Sequence, residues 1–382
     1  MALKVAKRGI VPPFIVMDVL RAANERAATG KDVLHLEVGQ PGTPAPQPVL
    51  DAAKRALDED LIGYTDALGV PQLRQAIANQ YRKQHGVDVD PGRVVVTTGS
   101  SGAFLLSFLA AFEEGDRVGI AAPGYPAYRN ILRALGVEPV IIEVGPADHF
   151  QPTPERLAEL DAPLDGLIIA SPSNPAGSMV LGPAMTALVG WCRSNGVRLV
   201  SDEIYHGITY GEPAVTALSV DDDAIIVNSF SKYYSMTGWR LGWMVVPEAL
   251  MRSVECLTQN LFISPPTLSQ LAAVAVFDCT DILDGYVAQY AANRAILLEE
   301  LPRAGLDKIA PADGAFYLYA DVTRFTNDSE AFCRKMLDET GVAVTPGIDF
   351  DPDRGHRYLR FSFAGSQDVM IEAAKRLKVW LR

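Results

Sequence analysis

Short apolar segments alternate with helical segments through the middle of the chain, from about residue 93 to residue 246. Within each segment the apolar residues are consecutive, which is the pattern of strands that are buried on both faces. Strands that alternate with helices predict a mainly parallel sheet covered by helices on both sides, so the predicted fold class is α/β. Seven segments fit this pattern: 93–97, 117–121, 137–144, 167–170, 197–201, 224–227 and 241–246.

The chain changes character after residue 247, where a mostly helical stretch over 248–301 is followed by a smaller α+β pattern. This pattern consists of strands at 314–319, 342–345 and 358–363 and helices near 329–339 and 366–381. A length of 382 residues corresponds to two or three domains. We predict a large domain over residues 45–285 and a small domain made of residues 1–44 plus 286–382. The proline-rich segment 40–48 is the expected crossing point between them.

Acidic residues outnumber basic ones, 46 to 34, and the formal net charge is −12. Such a surface repels phosphate backbones, so nucleic acid is not an expected partner. The uncharged runs at 94–112 and 256–277 are interrupted by polar residues or prolines, so neither is a membrane span. Residues 1–20 lack the apolar core of a signal peptide. The sequence therefore predicts a cytoplasmic protein without a membrane segment.

The four cysteines, Cys192, Cys256, Cys279 and Cys333, are far apart in the chain. They form no CxxC pair and no histidine stands at ligand spacing, so we expect neither a disulfide framework nor a metal site. This cysteine usage indicates a reducing compartment.

The loops that follow the strands should hold the functional residues, because ligands bind beyond the carboxyl ends of parallel strands. The first such loop, 98–103, reads Thr-Gly-Ser-Ser-Gly-Ala and leads into a helix. Its glycines and the helix N-terminus make it a candidate phosphate cradle, although a purely steric role for the glycines stays open. The chain has neither GxGxxG at this loop nor GxxxxGK[ST], which argues against a dinucleotide or a nucleoside triphosphate.

Polar residues also follow the strands at 167–170 and 197–201. Asn174 lies in a Pro–Gly turn, either as an ordinary turn residue or with its amide aimed into the cleft. Asp202, with Tyr205 just beyond it, fits a metal ligand, a helix cap or the partner of a cationic ring nitrogen. These two loops alone do not decide between the alternatives.

The segment 228–242 is the most informative part of the sequence. Lys232 comes directly after a buried strand, among serines and aromatic residues, unlike a solvated surface lysine. Burial and a nearby cation lower the pKa of an amine and leave it nucleophilic, and Arg240 could supply that cation while it binds an anion. A phosphate cradle, a nucleophilic lysine, an aspartate for a pyridine nitrogen, and a tyrosine and an asparagine for a phenolic oxygen describe a pyridoxal 5'-phosphate site.

These motifs resemble those of the class I/II pyridoxal phosphate-dependent aminotransferases of fold type I, the aspartate aminotransferase superfamily. The resemblance runs from about residue 38 to residue 363 with the motifs in family order, and Ser-Phe-Ser-Lys…Gly-Trp-Arg-Leu-Gly at 229–242 is its most specific part. It implies a mainly parallel seven-stranded sheet sandwiched by helices. It also implies an enzyme of amino acid metabolism that transfers the amino group of an L-amino acid to a 2-oxo acid in a ping-pong cycle.

The resemblance implies a role for each matching residue around the cofactor. Lys232 would hold the cofactor as an internal aldimine and then act as general base, while Asp202 would keep the ring nitrogen protonated. Tyr205 and Asn174 would hydrogen-bond the ring oxygen, and Tyr125 would stack on the ring. The phosphate would be bound by residues of two loops and the next strand: Gly99, Ser100, Ser101, Ser229 and Arg240.

Three further matches concern the substrates and the assembly. Tyr64, in Gly63-Tyr64-Thr65, resembles the residue that reaches the phosphate of a neighbouring subunit, which implies a homodimer with shared active sites. Arg360 matches the arginine that binds the substrate α-carboxylate, and Gly39 and Asn174 would also border the substrate. Without the other motifs, Arg360 would be interpreted as a strand residue that points to water.

The amino donor is not identified by these motifs. Relatives often carry Asp where this chain has Gly42, in a loop that borders the substrate. Arg129 and Arg133 are candidate partners for a side-chain carboxylate, although the surface of a helix is the plainer location for both.

Two other functions stay open at this point. A pyridoxal phosphate-dependent carbon–sulfur lyase, which works by β-elimination, shares the fold, the lysine and the aspartate. Effector sensors of some transcription regulators share the domain but carry a fused DNA-binding domain. The family pattern here starts near residue 38, which leaves no room for one, and the net charge disfavours DNA.

Overall fold

The computed structural model describes residues 3–382. The α-helices within these residues are α1 Ile15–Ala28, α2 Gln47–Glu59, α3 Pro71–His85, α4 Gly99–Ala111, α5 Pro126–Leu135, α6 Pro154–Ala158, α7 Gly182–Asn195, α8 Glu248–Leu261, α9 Thr267–Ala273, α10 Thr280–Arg303, α11 Ser329–Thr340 and α12 Gln367–Trp380. The β-strands are β1 Leu34–His35, β2 Val94–Thr97, β3 Arg117–Ala122, β4 Glu138–Glu143, β5 Gly166–Ala170, β6 Arg198–Asp202, β7 Ile225–Ser229, β8 Gly242–Val245, β9 Tyr317–Asp321, β10 Val342–Ala343, β11 Thr345–Pro346 and β12 Tyr358–Ser362.

Strands β2 to β8 form one seven-stranded sheet in the order β2-β8-β7-β6-β5-β3-β4. The pairs β4/β3, β3/β5, β5/β6 and β6/β7 are parallel, whereas β8 is antiparallel to both of its neighbours. Each of the predicted strands between 93 and 246 is present, with ends that differ by at most two residues from the prediction. The predicted α/β class and the mainly parallel sheet are confirmed.

Successive apolar residues of the strands pack on opposite faces of this sheet. In β5, Ile168 belongs to one apolar core, while Leu167 and Ile169 belong to the other. In β6, Val200 belongs to the same core as Ile168, which we call the first core, and Leu199 belongs to the second. Helices α4, α5 and α8 contribute to the first core and α3 and α7 to the second. Because side chains alternate across a strand and both faces are covered, consecutive positions in the middle of these strands are apolar.

The chain beyond α10, together with β1, forms two small sheets. Strands β11, β12 and β9 make an antiparallel sheet in that order, and β1 pairs in parallel with β10. The second pair brings the N-terminal region beside the C-terminal region, as a small domain of residues 1–44 plus 286–382 requires. The boundaries themselves, including 45–285 for the large domain, stay a prediction.

Two of the predicted strands outside the large sheet differ in detail from the structure. The strand predicted at 314–319 begins only at Tyr317, because the chain turns at Ala315 and Phe316, directly after Gly314 forms an isolated bridge with Thr209. A Cβ at Gly314 would lie 2.5 Å from Pro172 Cγ and 2.7 Å from Ile208 O. The strand predicted at 342–345 is divided, because β10 pairs with β1 and β11 pairs with β12.

The carboxyl ends of β5, β6 and β7 face strands β9 and β12 across a cleft. None of the helices in residues 3–382 is both long enough and apolar enough to cross a membrane. Over the same residues, no group of three or more His, Cys, Asp or Glu side chains is arranged to hold a metal ion.

Candidate active site

A pocket in this cleft brings together most of the predicted site residues. Ten of them line it: Gly39, Ser100, Ser101, Tyr125, Asn174, Asp202, Tyr205, Lys232, Arg240 and Arg360. The remaining lining residues are Phe14, Val16, Met17, Val38, Tyr128, Ala170, Ile204, Ser231, Thr237 and Tyr317. Residues that are distant in sequence thus form one site at the carboxyl edge of the sheet, where ligands of such sheets bind.

Lys232 follows β7 and extends its amine into this pocket. Its Nζ donates a hydrogen bond to Gly39 O at 2.6 Å and lies 5.8 Å from the centre of the Tyr205 ring. Burial, followed by the positive charge of Arg360, lowers the pKa of Lys232 from 10.5 to about 8, while the charge of Asp202 opposes the shift. A substantial fraction of the amine is therefore neutral near physiological pH, which is the form that acts as nucleophile or base.

Asp202, the last residue of β6, is buried beside the pocket. Its Oδ1 accepts a hydrogen bond from Ile204 N at 3.1 Å, and its Oδ2 accepts one from the Tyr128 hydroxyl. Burial raises the pKa of Asp202 to about 6, although both hydrogen bonds and the charge of Lys232 lower it. A carboxylate has about four acceptor positions, so Asp202 keeps capacity for a cation that enters the pocket.

Tyr128 is a site residue that the sequence reasoning missed. It lies one helical turn after Tyr125 at the start of α5, and the two rings are 5.3 Å apart in an edge-to-face arrangement. Residues three apart lie on the same face of a helix. The spacing of the two tyrosines could therefore have placed Tyr128 beside Tyr125 at the site. It could not have shown that the Tyr128 hydroxyl bonds to Asp202.

Tyr205 is held by a second missed residue, Tyr317 of β9. The two hydroxyl oxygens are 2.7 Å apart. The same hydroxyl of Tyr317 also explains Gly39, because a Cβ at residue 39 would lie 1.9 Å from it. Gly39 thus allows the backbone to approach both Tyr317 and the Lys232 amine.

Arg360 of β12 is almost fully buried, at 2% exposure, and does not point to water. Its Nη1 donates to Asn174 Oδ1 at 2.9 Å, and its Nη2 donates to Glu37 O and to Thr345 Oγ1. The guanidinium lies over the Tyr317 ring, 4.4 Å from its centre. Within residues 3–382, Nε has no hydrogen-bond partner. A fixed, planar cation of this kind is suited to a carboxylate.

The predicted phosphate cradle lies where α4 begins. Gly99 has φ +74°, and a Cβ there would lie 2.8 Å from Arg240 Nη2. A Cβ at Gly242 would lie 2.9 Å from Ser100 N. These glycines let a guanidinium group approach the N-terminal N–H groups of a helix, which is a favourable site for an anion.

Three predicted cofactor residues do not line the pocket. Gly99 is the first residue of α4, and Tyr64 is 83% exposed on the surface. Ser229 is buried, and its hydroxyl accepts from Ser231 N at 3.1 Å and donates to Leu241 O at 3.4 Å. Because the turn engages Ser229 in this way, Ser231, which the sequence reasoning missed, lines the pocket instead. A role for Ser229 at the phosphate stays a prediction.

The donor set fits pyridoxal 5'-phosphate. The glycine-shaped cradle with Arg240 suits a phosphate, the buried Asp202 suits a cationic ring nitrogen, and the Lys232 amine suits an aldehyde. Tyr205 and Asn174 also line the pocket, and a hydroxyl and an amide can both donate a hydrogen bond to a ring oxygen.

The chain is similar to known proteins over almost its whole length. The family model for aminotransferase class I and II matches residues 31–377. The valine–pyruvate aminotransferase of Mycobacterium tuberculosis is 54% identical over 99% of this chain and 98% of the relative. The crystal structure of an aminotransferase from Mycobacterium tuberculosis superposes with a TM-score of 0.98 at 54% identity, covering 100% of this chain and 99% of the other. The aspartate aminotransferase of Thermus thermophilus with maleate gives a TM-score of 0.93 at 30% identity, over 99% and 100%.

The ionisation of Lys232 can be measured directly. In the cofactor-free protein, we expect acylation of Lys232, followed by peptide mass spectrometry, to rise with pH to a midpoint near 8 rather than 10.5, because the neutral amine reacts. R360M should raise this midpoint and D202N should lower it, because the two charges act in opposite directions. A wild-type midpoint near 10.5 would contradict this account of the pocket.

The Tyr128 hydroxyl should control the ionisation of Asp202. Y128F removes a hydrogen bond that lowers the pKa of Asp202, so that pKa should rise above about 6. We expect the affinity of the cofactor-free protein for pyridoxal phosphate, measured by fluorescence titration, to fall by about tenfold on the acid side. As the pH is lowered, the affinity of Y128F should begin to fall at a higher pH than that of the wild type. Y81F removes a buried hydroxyl bonded to Trp243 Nε1, outside the pocket, and should leave this profile in place.

Proposed function

The chain belongs to the class I and II aminotransferases, and we propose that it transfers the amino group of an aliphatic L-amino acid to a small 2-oxo acid, with valine and pyruvate as the pair to test first. Amino-group transfer and dependence on pyridoxal phosphate come with the family. The named relatives do not favour the alternative of a β-elimination lyase.

The apolar wall of the pocket is the observation that carries the donor proposal. This wall consists of Phe14, Val16 and Met17 at the start of α1, together with Val38, all of which line the pocket. The cations among the lining residues of the described chain are Lys232, Arg240 and Arg360, and each is assigned to the cofactor or the α-carboxylate. An aliphatic side chain gains free energy against such a wall, whereas a side-chain carboxylate would lose its hydration there without a partner.

The two arginines considered for a side-chain carboxylate do not line this pocket. Arg129 is buried and not on the helix surface, and its Nη2 donates to Asp349 O at 2.6 Å. Arg133 is exposed. Their positions support an uncharged donor, in agreement with the name of the relative from Mycobacterium tuberculosis.

We assign the following roles to the residues of the pocket. When bound, pyridoxal phosphate supplies the electron sink for the reaction. Lys232 would hold it through its amine and, once released, would move the proton at the substrate Cα, a task suited to its lowered pKa. The Asp202 carboxylate would bind the ring nitrogen, and Arg360 would orient the substrate through its α-carboxylate.

The other assignments concern orientation of the ring and the phosphate. Tyr125 would stack on the ring, and Tyr205 and Asn174 would donate hydrogen bonds to its oxygen. The N-terminus of α4, with Ser100, Ser101 and Arg240, would bind the phosphate. Arg240 suits this role because, within residues 3–382, its guanidinium donates one hydrogen bond, from Nη1 to Thr237 O at 3.1 Å, and its other N–H groups can bind an anion.

We also propose a homodimer in which Tyr64 completes the phosphate site of the other subunit. The segment around Tyr64 supports this, because Leu61 and Ile62 are exposed beside it. Large apolar side chains on a surface are typical of an interface. A cytoplasmic location is proposed as well, supported by the free thiols of Cys192, Cys256, Cys279 and Cys333.

A donor panel tests the substrate proposal. With pyruvate as acceptor, we expect kcat/KM for valine to exceed that for aspartate by about 100-fold or more, because a buried charge without a partner costs about 3–5 kcal/mol. M17R should place a cation in the wall and raise kcat/KM for aspartate relative to valine. M17Q, similar in size to methionine but uncharged, is the matched control and should not. Equal rates with valine and aspartate in the wild type would refute the aliphatic donor.

Hybrid dimers test the position of Tyr64. Y64F should weaken cofactor retention about tenfold, since it removes a hydrogen bond to a charged group. If Tyr64 acts on the other subunit, a hybrid of a K232A subunit with a Y64F subunit contains one site with both native residues. That hybrid should retain cofactor at its Lys232 site as tightly as the wild type, measured by absorbance during dialysis. Retention as weak as that of the Y64F homodimer would place Tyr64 in its own subunit's site.

A further inference from the structure

Asp349 holds the start of helix α1, the element that carries the apolar wall. We propose that Asp349 is a positioning residue that sets the selectivity of the enzyme among aliphatic donors by fixing this wall against the substrate side chain. The inference rests on the proposed function, because it concerns the same donor.

The Asp349 carboxylate caps α1 from a distant part of the chain. Its Oδ1 accepts from Ile15 N at 3.2 Å and its Oδ2 accepts from Val16 N at 3.1 Å, and the residue is 1% exposed. The residue at the N-cap position of α1 is Phe14, whose side chain has no acceptor. The first N–H groups of a helix need such partners, and a negative charge at this end is favourable. Asp349 supplies both.

The capped turn is the part of α1 that lines the pocket. Phe14, Val16 and Met17 line the pocket, and the Phe14 ring lies edge-to-face with the Tyr125 ring at 5.8 Å between centres. A displacement of this turn would therefore move three of the wall's side chains together. The position of the wall depends on where the Asp349 carboxylate is held.

Asp349 is itself held next to the residue that would bind the α-carboxylate. Phe350 lies under the Arg360 guanidinium, 4.8 Å from the centre of its ring, and Arg129 Nη2 donates to Asp349 O at 2.6 Å. The neighbouring residues Asp349 and Phe350 thus connect the start of α1, which would contact the substrate side chain, to Arg360, which would bind the α-carboxylate. A substrate held by both is sensitive to the distance between them, and that distance is set through Asp349.

The comparison of valine with alanine isolates this effect. The alanine methyl is too short to gain what an isopropyl group gains from the wall, so alanine reports the rest of the machinery. In D349N one helix N–H faces an amide NH2 group instead of an oxygen. We expect KM for valine to rise and kcat to stay near its wild-type value. The ratio of kcat/KM for valine to that for alanine should fall about 3- to 10-fold.

D351N is the matched control. Asp351 is a buried acid two residues further on, and its carboxylate bonds to Arg354 Nε at 2.9 Å and to N–H groups of its own loop rather than to α1. Its replacement removes a buried negative charge from the same loop, and it should leave the selectivity ratio at the wild-type value. Loss of selectivity in D351N equal to that in D349N would overturn the proposal, because it would show a general effect of disturbing the loop.

A second pair of variants tests the contact from the helix side. I15P removes the N–H that bonds to Asp349 Oδ1, and proline is compatible with the first position of a helix. I15A keeps the N–H and removes most of the side chain. We expect I15P to reduce the selectivity ratio relative to I15A. This pair decides the question if D349N fails to fold.

Trypsin cleavage at Arg21, an exposed residue of α1, reports the docking of the helix directly. It should be faster in D349N than in D351N. An unchanged valine-to-alanine ratio in both D349N and I15P overturns the inference, even if cleavage is faster, because Asp349 would then be only structural. Failure of the proposed function appears elsewhere, as equal use of valine and aspartate by the wild-type enzyme.

Discussion

The hydrogen bonds of the Arg360 guanidinium join the two halves of the active site. From β12 it reaches Asn174, in the loop after β5 of the large sheet, and the backbone of Glu37, in the segment that leads to Gly39. A buried guanidinium is costly without partners, and here three oxygens, of Asn174, Glu37 and Thr345, together with two aromatic rings reduce that cost. The pocket between the two sheets therefore has a defined width at the position where a substrate carboxylate would bind.

Burial acts in opposite directions on the two central ionisable groups. It lowers the pKa of Lys232 and raises that of Asp202, so each is moved towards its neutral form while the other's charge works against the shift. The protein carries a net charge of −12, yet the pocket is lined by Lys232, Arg240 and Arg360 with Asp202 among them. The local arrangement, rather than the overall charge, makes the site suitable for an anionic cofactor and substrate.

The sequence predicted what local patterns can encode. Consecutive apolar residues located all seven strands of the large sheet, and the rule that ligands bind beyond parallel strands led to Asn174, Asp202 and Lys232. The pattern could not show contacts between distant segments. Tyr128 with Asp202 and Tyr317 with Tyr205 meet only through tertiary packing. The late start of β9 likewise involves a distant segment, because Gly314 pairs with Thr209 before the chain turns into the strand.

The distribution of the pocket residues along the chain separates two kinds of recognition. The pocket residues proposed to bind the cofactor lie between Ser100 and Arg240 in the sequence. This range falls inside the part of the chain that forms the large sheet. The residues around the proposed substrate come mostly from the two ends of the chain, at 14–17, at 38–39 and at Arg360. Substitutions near the ends can therefore change the amino acid that is accepted while the cofactor site stays the same. Such a division allows one fold to serve many donors, with new specificities arising from changes in short terminal segments.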